Sequence, residues 1–252
     1  MNSHIIKKEL RESLYSSKGI WMILASVSIL SVLCIVIVNI KEGSVLAQSD
    51  IMQYLIKASL FIILFVSMVL GASSFTVERE EHTMESILLT PVTKLNLTFA
   101  KYTGVIVIGF ILSVFSVPYL FAIGYGSGLT LIALLNTFFI CMVLLVAFSA
   151  ISVVLSIIMQ TSKAAILTSI FILVVIVSPA FIGSLLKQSA VGVVLMKIDP
   201  VSCVFNMMST AFINKASFLI MPEYFIPPLI FAAVSFMLLV CSSRKIALKG
   251  EK

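Results

Sequence analysis

The stretch FTVEREEHTMESILLTPVTKLNLTFAKY, Phe75 to Tyr102, is the only long charged passage lying between two segments apolar enough to cross a bilayer. Glu78, Glu80, Glu81 and Glu85 crowd together with Arg79, in a chain where charged residues make up only 11%. On a helix, Val77, Met84, Ile87 and Leu88 fall toward one side, while Glu78, Glu81, His82 and Glu85 follow the i, i+3, i+4, i+7 spacing along another. The spacing predicts an amphipathic helix with an acidic stripe, its early acids suiting the positive end of the helix dipole. Pro91, with the restricted Thr90 before it, should stop that helix, and Thr93 can cap the next one, which runs through Lys94 and Lys101 into a further apolar run. On pattern alone, such a segment also fits an ordinary solvated loop helix.

The surroundings narrow the choice. Hydrophobic residues are 60% of the 252 and the mean hydropathy is +1.18, well above the roughly 45–50% apolar share of soluble domains. This is the composition of an integral membrane protein. The net charge of +6 does not point to nucleic acid, because the basic residues cluster beside apolar runs, where they mark the cytoplasmic face of a membrane. Cys34, Cys141, Cys203 and Cys241 are scattered singly, with no CxxC pair and no histidine at metal-ligand spacing, so neither a disulfide framework nor a metal site is expected. The first apolar run has spanning length and no cleavage pattern after it, which predicts a retained membrane helix and no signal peptide.

Outward from Phe75, the chain reads as an all-α polytopic membrane protein, a single transmembrane domain over 1–252. Residues 1–19 should form a helix on the membrane surface, with Ile6, Leu10 and Leu14 on one face and Lys7, Lys8, Arg11 and Lys18 around it. Six spans are expected at about 20–38, 55–75, 103–123, 129–159, 164–186 and 225–240, each judged against the roughly 20 apolar residues that a bilayer core requires. Residues 76–94 form a cytoplasmic helix and its exit between spans two and three. Lys57 lies near the start of span two, close enough to snorkel toward the interface. Pro118 should kink span three, span four is long enough to tilt or project, and Pro227 and Pro228 fall in the first turn of span six.

Residues 187–224 make an outer, partly re-entrant segment. Asp199 followed by Pro200 has the form of an N-cap and first helical position, and Val201, Val204, Met208 and Phe212 then repeat at helical spacing. Cys203, on this side, is a candidate labelling handle. Asn136 in span four is read as an interhelical hydrogen-bonding group.

Orientation follows from the 17 Lys and Arg. One side of the six-span arrangement carries Lys7, Lys8, Arg11, Lys18, Arg79, Lys94, Lys101, Lys163, Arg244, Lys245, Lys249 and Lys252. The other carries Lys41, Lys57, Lys187, Lys197 and Lys215. Basic residues favour the cytoplasm, so both termini and Phe75–Tyr102 are expected to face inward, in a multi-pass protein of the cell membrane.

Catalysis by this chain alone is not expected: His4 and His82 both fall on the cytoplasmic side, and HExxH and GxSxG are absent. None of the six spans carries a carboxylate near its midplane, which weakens ion coupling, although sodium can be held by backbone carbonyls. No phosphate-binding loop of the GxxxxGK[ST] type occurs, so any nucleotide-powered transport needs an ATPase on another polypeptide.

The run Glu78-Arg79-Glu80-Glu81, then Thr83-Met84-Glu85, Leu88-Leu89-Thr90-Pro91-Val92 and Lys101, resembles the signature of membrane subunits in ATP-binding-cassette transporters of the type 2 export class. A weaker likeness covers the rest: the Lys8–Glu12 run in an interfacial helix, six spans, and an Asp-Pro motif before a re-entrant outer segment. The resemblance implies that the segment after span two is a coupling helix docking into a groove of an ATPase subunit. Glu78, Arg79, Glu80, Glu81, Thr83 and Glu85 would then make polar contacts with that subunit, and Leu88, Leu89 and Pro91 would anchor the helix and its exit. At the position of His82 the family often has glycine.

The resemblance also implies a permease half working with a second copy or a homologue, surrounded by membrane lipid. It implies no cofactor on this chain, with ATP and Mg bound by the partner ATPase subunit. The apolar spans favour a hydrophobic or amphipathic cargo such as a drug, lipid or small peptide. Two rivals are a permease that relays mechanical work to an extracytoplasmic partner through Lys187–Glu223, and an ion-coupled secondary carrier.

Overall fold

The computed structural model describes Arg11 and residues 17–40, 45–84, 93–124, 130–181, 190–214 and 222–244. Every regular element among them is helical: α1 (Ser17–Ile40), α2 (Val45–Ser73), α3 (Thr76–Glu80), α4 (Lys94–Gly124), α5 (Thr130–Ile158), α6 (Ser162–Val177) with a 3₁₀ turn at Ser178–Phe181, α7 (Ala190–Ile198), α8 (Pro200–Asn214) and α9 (Pro222–Ser243). Six of these helices, α1, α2, α4, α5, α6 and α9, are long and apolar enough to cross a membrane. The all-α, six-helix architecture expected from the apolar runs is the one observed. The surface helix expected over 1–19 lies almost wholly outside the described residues, as do Lys245, Lys249 and Lys252.

Two helices form the middle of the bundle. Over Ile51–Glu80 and Cys141–Ile158, 61% and 67% of residues are buried, against 17% over Gly19–Val36 and 22% over Ser162–Ala180. So α2 and α5 are inner helices, and α1 and α6 turn most of their surface outward. In a bilayer the lipid is as apolar as leucine, so close packing and hydrogen bonding must hold helices together. Glycine supplies the close approach at two crossings. A Cβ on Gly71 of α2 would lie 1.9 Å from Ser152 Oγ of α5, and one on Gly109 of α4 would lie 2.3 Å from Leu145 Cδ1 of α5.

The polar groups in these helices are spent locally. Ser59, Ser67, Ser113, Ser149 and Ser152 are buried, and each donates its hydroxyl to a carbonyl three or four residues back. That satisfies the hydroxyl without water and keeps the helix surface small. A few bonds cross between helices: Tyr102 Oη donates to the Val146 carbonyl (3.0 Å), and the Ser31 and Tyr119 hydroxyls share a 2.6 Å bond. Edge-to-face rings, Phe148 with Phe231 and Phe139 with Phe225, tie α5 to α9.

Several boundaries differ from the sequence reading. The helix carrying span two begins at Val45, so Lys57 lies well inside it. Its ammonium sits 5.2 Å from the Phe205 ring centroid and 5.9 Å from that of Tyr54. Because α9 starts at Pro222, Pro227 and Pro228 fall in its second turn, not its first. Pro118 lies within α4 without ending it. In span five the α-helix stops at Val177 and tightens to 3₁₀ around Pro179, whose missing N–H cannot continue the α pattern; residues 182–189 lie outside the described ones.

In the connection between spans five and six, α8 packs into the bundle. Asp199 caps α8 as its sequence form suggested, with Oδ2 accepting the Ser202 N–H at 2.7 Å and Pro200 as the first helical residue. Val201, Val204 and Met208 are buried in one cluster with Met52, Leu55 and Ile56, at the early end of α2. The Phe212 side chain lies outside the described residues. Cys203, expected to be a labelling handle, is only 2% exposed and donates its thiol toward the carbonyls of Met196 and Lys197. Burial, with the Asp199 charge adding to it, pushes this thiol up to about 11. The side chain of Asn136, expected to be an interhelical hydrogen-bonding group, lies outside the described residues.

Candidate functional site: the α3 segment and the turn that ends it

At the end of α2 the chain stops being a continuous helix for local reasons. The Gly71 carbonyl accepts both the N–H and the hydroxyl of Ser74, at 3.2 and 2.7 Å, which closes a turn. Phe75 then enters the core, fully buried in a cluster with Met84, Leu97, Tyr102, Val105 and Leu239. Phe75 is the N-cap of α3 and has no capping side chain of its own. The cap comes from another helix: Ser156 Oγ of α5 accepts the N–H groups of Phe75 (2.7 Å) and Thr76 (3.2 Å). These are two of the donors that a helix start leaves without intrahelical partners.

Helix α3 is short. Its last residue is Glu80, and the chain reverses at His82, whose φ of 57° is left-handed. The Thr83 N–H reaches back to the Glu78 carbonyl at 3.0 Å, with the Thr83 hydroxyl on the same oxygen at 3.2 Å. That six-to-one bond around a left-handed residue is the Schellman form of helix ending, in which glycine is the usual occupant. It gives a physical reason for the glycine found in the resembling family, and His is among the residues that tolerate the region better than most. The sequence reading of one helix running on to Thr90 is therefore corrected. Its acidic stripe is broken at Glu81 and His82, which belong to the turn.

The charged side chains of this segment divide into two sets. Glu78, 17% exposed at its side chain, pairs with Lys101 of α4, 5% exposed, at 2.5 Å. The same ammonium lies 5.3 Å from the Phe75 ring centroid. Arg79 donates to the carbonyls of Met159 and of Ile157, the latter at 3.2 Å, at the end of α5. Glu80 accepts the N–H and the hydroxyl of Ser162, both at 2.7 Å, at the start of α6. Glu81, His82 and Thr83 are exposed, and Met84 returns to the core at 3% exposure.

Of the residues singled out from sequence, then, Glu78, Arg79 and Glu80 reach neighbouring helices, while Glu81 and Thr83 stand on the projecting turn. Glu85, Leu88, Leu89 and Pro91 lie outside the described residues. Thr93 caps α4 as expected, with its Oγ1 accepting the Asn96 N–H at 3.4 Å. Ser156 and Ser162 were not anticipated. They are about 80 residues from their partners, and a serine in an apolar run carries no local signal of such a contact. Asp199 and Pro200 sit apart from this site, in the buried cap of α8. Among the described residues no group of three or more His, Cys, Asp and Glu is placed to hold a metal ion.

The architecture is thus six membrane-crossing helices with a short helix after the second, tied to three neighbours and ending in an exposed acidic turn. A family model described as ABC-2 family transporter protein matches residues 39–241. The chain belongs to the ABC-2 transporter family. The match runs from before α2 into the last turn of α9, α3 and its turn included. No curated protein matches the chain. Members of this family are membrane permease subunits of ABC transporters, and membership implies an ATP-binding partner in general.

Proposed function

We propose that this chain is the permease half of an ATP-driven exporter, whose ATPase is a separate subunit docking on the turn Glu81–Thr83. The observation that carries the reading is the geometry of that turn. It is an exposed acidic projection, held by a left-handed reversal and anchored on both sides by the buried Phe75 and Met84. A charged turn tied down by those contacts can pass on a push to the helices that hold it.

The basic residues support a cytoplasmic position for it. Arg79, Lys94, Lys101, Lys163 and Arg244 share the α3 end of the bundle in the six-span order, while Lys57 and Lys197 belong to the other. ATP and Mg would be held by the partner, whose closure would move α3 and rock the helices between two states. A hydrophobic or amphipathic cargo suits the apolar interior. The outward faces of α1 and α6, bearing Trp21, Leu24, Val32, Leu167 and Phe171, would meet lipid or a second copy or homologue. Relay to an external protein is less favoured, because α8 packs into the bundle and does not project from it.

The test is a detergent pull-down of the tagged chain from its native membrane, with ATPase activity assayed on the eluate, comparing wild type with Glu81→Lys. Co-elution of an ATPase subunit with wild type and its loss in the variant is the expected outcome. Wild type eluting alone refutes the reading, and a variant that keeps the subunit removes the turn as the docking point.

A further inference from the structure

The charges of α3 do more than hold one helix in place. The α5–α6 connection is an abrupt break: α5 ends at Ile158, α6 starts at Ser162, and the Thr161 side chain caps the third position only weakly, at 3.4 Å from the Ala164 N–H. Each side of the break leaves backbone groups without intrahelical partners, carbonyls on α5 and N–H groups on α6, with opposite dipole ends facing one another. Two consecutive side chains of α3 fill both. The Arg79 guanidinium takes the carbonyls of Ile157 and Met159, and the Glu80 carboxylate takes the N–H and hydroxyl of Ser162. A cation lies at the negative end of α5 and an anion at the positive end of α6, each by hydrogen bonds of the stronger, charge-assisted kind.

We infer that Arg79 and Glu80 are positioning residues that clamp the α5–α6 connection to α3, so that a displacement of α3 is carried into the fourth and fifth membrane helices. By chain connectivity alone, α3 can pull only on α2 and α4. The clamp adds α5 and α6, and Ser156 of α5, which caps α3 in return, makes the tie reciprocal. One push at the turn then reaches four of the six membrane helices. This inference rests on α3 being the docking segment, but the clamp itself is a property of the chain alone.

Two measurements on the full-length protein separate the two claims. The first needs no ATPase: backbone amide exchange over residues 161–166 in the purified chain. Glu80→Ala should raise exchange there by about threefold to tenfold, the scale of losing a charge-assisted bond that is exposed to solvent. Glu80→Gln, which keeps one acceptor, should recover part of the protection. Glu81→Ala, on the exposed turn, should leave it unchanged. Equal exchange in Glu80→Ala and wild type overturns the clamp whatever binds at the turn.

The second uses the complex with its ATPase subunit and a maleimide reporter at Lys163→Cys in a Cys241→Ser background, with and without ATP and vanadate. A nucleotide-dependent change in labelling rate should occur with Glu80 present. In Glu80→Ala it should disappear while the ATPase subunit still co-purifies and hydrolyses ATP. Persistence of the change overturns the inference. So does loss of the subunit itself, since Glu80 would then be a docking residue. If no ATPase subunit accompanies wild type, the docking proposal fails and the exchange experiment alone decides the clamp.

Discussion

Gly71→Ala tests whether the α2–α5 crossing is set by contact between backbone and small side chains. A Cβ at position 71 would lie 1.9 Å from Ser152 Oγ, 2.8 Å from Ser152 Cβ and 3.5 Å from the Val153 nitrogen. Rotation of Ser152 moves its oxygen away at the expense of its 2.9 Å bond to the Ser149 carbonyl, but it leaves the Cβ where it is. Relief then requires the helices to part by several tenths of an ångström, and Met68, Leu144 and Phe148, all fully buried, resist that. Overpacking of this kind costs about 1–3 kcal/mol, and the better helix propensity of alanine returns at most about 1 kcal/mol. The expected net loss is about 1–2 kcal/mol, or a fall of roughly 2–8 °C in unfolding midpoint for a chain of this size.

The assay is thermal unfolding in detergent, followed by a thiol-reactive fluorophore that reports Cys141 and Cys203, both buried, as the fold opens. Cys241 is exposed and Cys34 half-buried, and both are replaced by serine to remove their early signal. Midpoints are compared at one scan rate, since unfolding of such a protein is commonly irreversible. The informative variant is the swap Gly71→Ala with Ser152→Gly, which moves the Cβ from one helix to the other and leaves only the ordinary 3.5 Å contact with Val153. It should be less damaged than the sum of its single substitutions by about 1–2 kcal/mol, the coupling expected of residues in direct contact. Additive singles would refute the reasoning, because they would mean that the two positions do not touch.

Three further outcomes are expected. Glu78→Gln and Lys101→Met should each lower the unfolding midpoint sharply, since breaking a buried pair costs about 3–5 kcal/mol, while the double variant should be less damaged than either single. At His82, glycine should leave stability unchanged or raise it by up to about 1 kcal/mol, whereas valine should lower it by about 1–2 kcal/mol, because the left-handed backbone penalises a branched side chain. Unfolding midpoints would show both patterns. Asp199→Ala should cost about 1 kcal/mol as a lost cap, and Asp199→Asn should not. Burial holds the Asp199 carboxyl above its ordinary value, so the native state binds the proton more tightly than the unfolded chain. Its contribution is greatest below the unfolded pKa and is lost as pH rises through the folded one, and Asp199→Asn should flatten that part of the stability profile.

What the sequence made legible here is what depends on neighbours along the chain. Six apolar runs of spanning length became six helices, Thr93 and Asp199 capped the helices that follow them, and Glu78 to Thr83 fell within the candidate site. What it did not show depends on residues far apart. The i, i+3, i+4, i+7 order of Glu78, Glu81, His82 and Glu85 is compatible with a longer helix. The reversal at His82 comes instead from Phe75 and Met84 both being drawn into the core, which α3 can satisfy only by turning back. Likewise, nothing near Glu80 in sequence indicates Ser162, which lies 82 positions away.

The same distances explain why so much charge is gathered in one place. In the docking role proposed above, α3 has to meet a soluble partner and also grip a bundle whose helices, being apolar, offer little for a polar segment to hold except their ends. Helix ends are where the backbone itself carries partial charge, and side chains of the right sign find partners there without burying an unpaired ion. Glu78, Arg79 and Glu80 use that opportunity on α4, α5 and α6, while Glu81, His82 and Thr83 form the exposed turn that ends α3, with Thr83 closing it on the Glu78 carbonyl. On this view, substitutions in the first group should change how motion is passed on, and substitutions in the second should change what binds. Mutational scanning of residues 78–83, with ATPase co-purification and nucleotide-dependent labelling at position 163 measured on each variant, should therefore sort the six positions into two classes, with the boundary between Glu80 and Glu81.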